Sequence, residues 1–260
     1  MGVLNVTPDS FSDGGKWLGR TAAMDHALAM VEAGADIIDI GGESTRPGAA
    51  AVSEQEELDR ILPVIEALSA ATHAVISIDS SKAGVMTAAA AAGAGLINDV
   101  YGLRRPGALE AAAATGLPVC LMHMQGEPRT MQSAPHYEDV VAEVESFLLE
   151  RARLAQAAGI DRSLILLDPG FGFGKTLAHN LALLRGLPRL CGHDYPVLAG
   201  LSRKSMLQAL TERAVDERLA GSLALGQAAL QGGAAILRVH DVAEHRDMLR
   251  VYAALNGPAG

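Results

Sequence analysis

Eight short apolar runs, each leading into polar or charged residues, constrain this chain's fold more than any other feature. Seven end in a polar cluster: Val3-Leu4-Asn5, Ile37-Ile38-Asp39-Ile40, Val75-Ile76-Ser77-Ile78-Asp79, Leu96-Ile97-Asn98-Asp99, Leu121-Met122-His123, Leu164-Ile165-Leu166-Leu167-Asp168 and Ile236-Leu237-Arg238-Val239-His240. The eighth, Pro196-Val197-Leu198-Ala199-Gly200, leads into Ser202-Arg203-Lys204-Ser205. A run of Val, Ile and Leu without polar alternation suits a strand buried on both faces, as in a parallel sheet. Eight such strands with polar groups at their C-terminal ends describe an α/β fold, a single (β/α)8 TIM barrel with its active site on that face. A length of 260 residues fits one barrel domain over residues 1–260 and leaves no room for a second.

The spaces between the runs read as helices. Thr21–Glu32 carries an apolar stripe at Ala23, Ala27, Met30 and Val31, and Gly34 can close it. Ser53–Ser69 opens with Ser53 and has Glu56 three residues on, the pattern of a capping box. Ser81–Ala92 is alanine-rich, and Asp139–Ala158 is amphipathic with Gly159 to stop it. Gly107–Thr115, Leu177–Leu184, Arg218–Gln231 and Glu244–Leu255 complete the set, with a further short helix starting near Arg203-Lys204-Ser205. Two loops are longer than packing needs, Thr7–Gly15 and Gly41–Gly48; their Gly, Ser, Asp and Pro content suits mobile lids over a barrel mouth.

Composition narrows the function. No apolar stretch approaches the roughly 20 residues of a membrane helix. Met1-Gly2-Val3-Leu4-Asn5 lacks the charged and apolar regions of a secretory signal, so a cytoplasmic protein is expected. The net charge of −9 disfavours nucleic acid as a partner but leaves room for a small anionic substrate. Of the two cysteines, Cys120 reads as a small reduced core residue, and no Cys/His spacing resembles a zinc site.

Asp168-Pro169-Gly170-Phe171-Gly172-Phe173-Gly174-Lys175-Thr176 invites a phosphate-loop reading, but only three residues separate Gly170 from Gly174 where that motif needs four. A dinucleotide fingerprint fails as well. The segment reads as a glycine-rich turn displaying Asp168 and an aromatic ring, and taken alone it is equally consistent with loop geometry. Asp79, Asn98 and Asp168 end three strands. Asp79 could merely cap the next helix, but three acceptor-capable side chains converging on one axis suit a flat heterocycle with adjacent N–H and C=O groups. Lys204 could add a cation beside a ring carbonyl. Arg238 and His240 lie two apart on a strand and share a face, so with Arg46 and Lys204 they suggest an anion site. Asn5 could hold a Mg²⁺ that also binds phosphate oxygens. His123 reads as a satisfied core histidine.

In order along the chain, Leu4–Gly15, Asp39–Gly48, Leu121–Gly126, Asp168–Lys175, Ser202–Ser205 and Arg238–Asp241 resemble the signatures of the dihydropteroate synthases. The resemblance spans essentially the whole chain, and the two long loops distinguish this family from other pterin-binding barrels. It implies an enzyme that joins a dihydropterin methyl pyrophosphate to p-aminobenzoate, releasing pyrophosphate by a substitution with SN1 character, with Mg²⁺ and commonly as a homodimer. Carried over, Asp79, Asn98, Asp168 and Lys204 would bind the pterin, with Met122 and Phe173 lining the slot. Arg238 would stack on the pterin and, with His240 and Asn5–Mg²⁺, hold the pyrophosphate. Phe11, Thr45, Pro47 and Ser205 would form the p-aminobenzoate pocket, and Arg46 and Asp13 would order the loops. Family members usually carry residues ahead of the Met-Gly that opens the first strand, so less cover is expected at the barrel bottom. Rival readings are a pterin-binding methyltransferase of the same superfamily, a silent paralogue that binds pterin or a partner, and a phosphosugar barrel enzyme.

Overall fold

Strand and helix alternate along the chain, and every strand pairing is parallel. A computed structural model describes residues 1–7, 15–44, 52–128 and 130–257. Six strands form one sheet in sequence order: β1 (Gly2–Asn5), β2 (Ile37–Gly41), β3 (Val75–Asp79), β4 (Leu96–Asp99), β5 (Val119–Met122) and β6 (Ile165–Asp168). Two shorter strands, β7 (Leu198–Ala199) and β8 (Ile236–Leu237), pair with each other. Backbone bonds join the two sheets into a ring. Leu167 N–H donates to Pro196 O (3.0 Å) beside a Leu167–Val197 bridge. At the other seam Val3 N–H donates to Val239 O (3.1 Å) and Val239 N–H to Met1 O (2.9 Å). The expected eight-stranded barrel is therefore present. The last two apolar runs give short strands because their flanking residues, Val197 and Val239, bond the neighbours that close it.

The helices are α1 (Gly15–Glu32), α2 (Glu54–Ala71), α3 (Ala83–Ala91), α4 (Ala108–Thr115), α5 (Val140–Ala157), α6 (Leu177–Arg185), α7 (Leu187–Cys191), α8 (Ser205–Thr211), α9 (Leu219–Gln231) and α10 (Val242–Asn256). The short α7 was not anticipated. Ser53 does cap α2, accepting from Glu56 N–H (3.2 Å), but the reciprocal half of the expected capping box gives way to an ion pair of Glu56 with Arg60 (2.5 Å). The α5 cap is complete on one side chain: Asp139 accepts from Val141 N–H (3.0 Å) and Ala142 N–H (3.1 Å). No helix among the described residues is long and apolar enough to cross a membrane.

The strands sort their side chains with period two. Outward residues such as Ile38, Ile40, Ile76, Ile78, Leu121 and Leu167 pack under the helices in the main core. Inward residues form a second, smaller core of Leu96, Cys120, Leu166 and Leu198, with Met1, Ile37 and Ile236 against it. Cys120 is thus the buried free thiol the sequence suggests. Below this plug, at the end opposite the mouth, an open recess is lined by Met1, Ala35, Ile37, Ile236 and Val242 among others. Above the plug the inward positions turn polar, and register aligns them: Asn5 lies opposite Gly41, Gly41 opposite Asp79, Asp79 opposite Asn98, and Met122 opposite Asp168.

The turn after β6 is pressed against the exit of β5. Gly170 has φ +66°, and a Cβ there would stand 1.9 Å from His123 O; at Gly174 (φ +61°) it would stand 2.5 Å from Gln125 O. Both glycines are required by left-handed backbone and by close approach together. Gly170→Ala is expected to cost on the order of 2–5 kcal/mol, from left-handed strain plus overpacking. Urea unfolding measures this, and wild-type stability in that variant would contradict the packing described.

Candidate active site

The polar layer surrounds a pocket at the barrel mouth. Asp79, Asn98, Asp168, Lys204 and Arg238 supply its polar wall, and Val100, Met122 and Phe173 an apolar one. Met122 and Phe173 belong to a small cluster with Val100, Tyr101, Met124 and Met131. Gly200 lines the pocket without filling it. A slot with one apolar wall and polar groups round its edge fits a flat, hydrogen-bonding ring.

Arg238 organises the polar wall. It leaves the end of β8 and crosses the barrel: Nε donates to Asp39 Oδ2 (2.6 Å) and an Nη to Asp79 Oδ2 (2.9 Å). Asp39 is wholly buried and also accepts from Ser77 Oγ (2.6 Å) and Asn98 Nδ2 (3.1 Å). Burial, and then the neighbouring Asp39 charge, push the Asp79 carboxyl up to about 7 against the pull of Arg238. Burial works against the Arg238 charge, but Asp39 and Asp79 outweigh it and hold the guanidinium above its ordinary value. Asn98 Oδ1 is buried with no hydrogen-bond partner among the described residues.

On the opposite side, Asp168 takes the Gly170 N–H (2.7 Å), and burial raises its carboxyl despite that bond and Lys204. Lys204 Nζ donates to Phe171 O (2.8 Å) and lies 4.2 Å from the Phe173 ring centroid. Burial lowers its ammonium to about 8, with Asp168 pulling the other way. Behind the turn sits Lys175, 3% exposed, with Nζ reaching Gly170 O (2.9 Å), Phe173 O (3.0 Å) and His123 Nδ1 (3.0 Å). Burial and Lys175 drive the His123 imidazole down to about 2, so it is the neutral core histidine expected.

Asp79, Asn98, Met122, Asp168, Phe173, Lys204 and Arg238 thus meet in one pocket. Asp79 does not cap α3, whose N-cap is Lys82. His240 stands beyond the pocket wall, its Nδ1 3.1 Å from Ser202 Oγ. Burial, then Arg238 and Arg203, lower it to about 4. Beside the Arg238 cation, His240 is therefore a neutral imidazole. Ser205 is exposed at the start of α8. Phe11, Asp13, Thr45, Arg46 and Pro47 lie outside the described residues. The second loop's base is tied: Glu43 accepts from Val52 N–H (3.2 Å) and pairs with Lys82 (2.5 Å), which also pairs with the buried Glu57.

Sequence reasoning missed Asp39, Ser77, Val100 and Lys175. An acid inside an apolar strand run was the available signal for Asp39. Lys175 was visible in the phosphate-loop comparison and in the Asp168–Lys175 segment of the resemblance, neither of which gives it a role.

No group of three or more His, Cys, Asp or Glu placed to hold a metal occurs among the described residues. Asn5 ends β1 with a neutral amide oxygen, a donor of the type that suits Mg²⁺, which commonly takes few protein ligands beside substrate phosphates.

Comparison with known proteins agrees with this geometry. Residues 1–240 match the pterin binding enzyme family. The dihydropteroate synthase of Escherichia coli (strain K12) is 54% identical over 254 residues, 98% of this chain and 90% of that protein. The Xanthomonas albilineans dihydropteroate synthase solved with 4-aminobenzoic acid superposes with a TM-score of 0.94 at 56% identity, covering 100% of this chain and 93% of that one. The same enzyme in complex with 7,8-dihydropteroate gives a TM-score of 0.91 at 53% identity, covering 100% and 94%. The chain belongs to the pterin-binding enzyme family, among its dihydropteroate synthases.

Proposed function

We propose that the pocket holds the ring of (7,8-dihydropterin-6-yl)methyl diphosphate, which the chain condenses with 4-aminobenzoate to 7,8-dihydropteroate and diphosphate in folate synthesis. One observation carries the ring assignment: Asp79, Asp168 and the unpartnered Asn98 Oδ1 present acceptors round one slot, with Lys204 beside them. A dihydropterin supplies matching N–H donors and a ring carbonyl for the lysine. The Xanthomonas albilineans complexes with 4-aminobenzoic acid and 7,8-dihydropteroate support the substrate pair.

The residues bear on catalysis through charge. As diphosphate departs, positive charge grows on the ring and its methylene, and the Asp79 and Asp168 carboxylates favour it. Ring N–H groups donated to Asp79 favour its charged form. Arg238 and the neutral N–H of His240 face the departing anion, and 4-aminobenzoate attacks through its amine. Asn5 would hold a Mg²⁺, which when bound offsets diphosphate charge. The 4-aminobenzoate is assigned to Phe11, Thr45, Pro47 and Ser205, with Arg46 and Asp13 ordering the loops. A cytoplasmic setting is supported by two unpaired cysteines. A homodimer through the outer helices is part of the same proposal, supported by exposed Leu210, Val251 and Leu255 on α8 and α10.

Purified protein with the dihydropterin diphosphate and Mg²⁺ is expected to release diphosphate, forming dihydropteroate, only when 4-aminobenzoate is present. Release without it, or none with it, would contradict the assignment. The pH profile of kcat/KM is expected to rise as Asp79 loses its proton near 7 and fall as Lys204 loses its own near 8. Lys204→Arg, whose cation does not titrate there, should remove the alkaline limb; an unchanged limb would take Lys204 out of the site. Arg238→Met strands Asp39 and Asp79 without their cation and is expected to cost about 3–5 kcal/mol in urea unfolding. A loss of activity with no loss of stability would show that Arg238 serves the substrate alone.

A further inference from the structure

Asp39 does not line the pocket, yet it controls what one pocket wall offers. Its two oxygens receive Ser77 Oγ–H, Asn98 Nδ2–H and Arg238 Nε–H, all from buried or partly buried partners. A carboxylate paired with a guanidinium offers acceptors and no donors. The Asn98 amide must therefore face Asp39 with its nitrogen. An amide's two ends are nearly the same size, so without such a neighbour Asn98 could turn over and present N–H to the pocket instead. In the structure it does not: Nδ2 of this pocket-lining residue lies 3.1 Å from Asp39 Oδ2, and Oδ1 is left buried with no partner among the described residues.

We propose that Asp39 is the positioning residue that sets the pocket's ring selectivity. By orienting Asn98, it sets an acceptor against the ring's 2-position, where the amino group of a 2-amino-4-oxo pteridine donates. The 2,4-dioxo ring puts its C2 carbonyl there, an acceptor against an acceptor. Asp79 and Asp168 add acceptors to the slot, so no neighbouring side chain among these three offsets the mismatch. The inference rests on the pterin reading of the pocket and adds a residue that never touches the ring.

The test is equilibrium binding, by calorimetry, of 2-amino-4-oxopteridine and of 2,4-dioxopteridine to the whole chain. Wild type is expected to prefer the amino ring by about 100-fold, the cost of leaving one buried acceptor facing another. Asp39→Asn can offer Asn98 either a donor or an acceptor, and should narrow that preference by about tenfold, close to the value of one hydrogen bond. Ser77→Ala leaves the Asn98 and Arg238 contacts in place and should keep the wild-type preference. If Asp39→Asn weakens both rings equally, with the ratio unchanged, Asp39 is merely structural and the inference is overturned. If Asp39→Asn alone does not fold, combining it with Arg238→Gln removes both charges together and is read by the same ratio. Wild type binding neither ring would overturn the pterin reading itself; wild type binding both equally would overturn only the role of Asp39.

Discussion

The mouth of this barrel depends on one guanidinium held between two carboxylates. Arg238 comes from the end of the last strand and reaches Asp39 on β2 and Asp79 on β3, so it ties the closing seam to the far wall. Taking three charges out of water is expensive, and apolar residues of similar volume would often serve stability as well or better. What the charges supply is a defined set of directions. Asp39 turns the Asn98 nitrogen inward to itself and leaves an oxygen at the pocket. Asp79, sharing the same cation, is left with a carboxyl pushed up to about 7. That wall of the pocket therefore presents acceptors, and a ring rich in N–H groups matches them.

The other side of the pocket is built by a backbone turn. Gly170 and Gly174 let the Asp168–Phe173 segment lie against the carbonyls of His123 and Gln125, where any side chain would collide. Lys175 fastens the turn from behind through the Gly170 and Phe173 carbonyls, and Lys204 meets its front through the Phe171 carbonyl and the Phe173 ring. Two lysines flank one turn, and burial lowers both, to about 7 for Lys175 and about 8 for Lys204. A lysine held at the face of this turn, its ammonium lowered to about 8 by burial, can donate to a ring carbonyl there.

Much of this was legible because parallel strands leave apolar runs, and a polar residue ending such a run stands out. Asp79, Asn98, Asp168 and Arg238 were readable in that way, and the whole-chain resemblance placed Met122 and Phe173. Asp39 was in view within Ile37–Ile40, but its cation lies 199 residues further along the chain, a distance no local pattern spans. The neutral state of His240 was not legible either, since it arises from burial and from Arg238 and Arg203 brought close by the fold. The half-formed cap of α2 has a similar cause: Arg60 captures the Glu56 carboxylate that a sequence pattern assigns to the cap. Local patterns report strand ends well, and partners across the barrel poorly.

The most direct measurement is a crystal structure of this chain with the dihydropterin methyl diphosphate bound. The account predicts the ring in the slot, its N–H groups on Asp79, Asp168 and Asn98 Oδ1, its carbonyl toward Lys204, the diphosphate toward His240 and Asn5, and Arg238 still paired with Asp39. A ring bound with Asn98 Nδ2 facing it, or with the diphosphate in the slot and Arg238 drawn off Asp39, would contradict it.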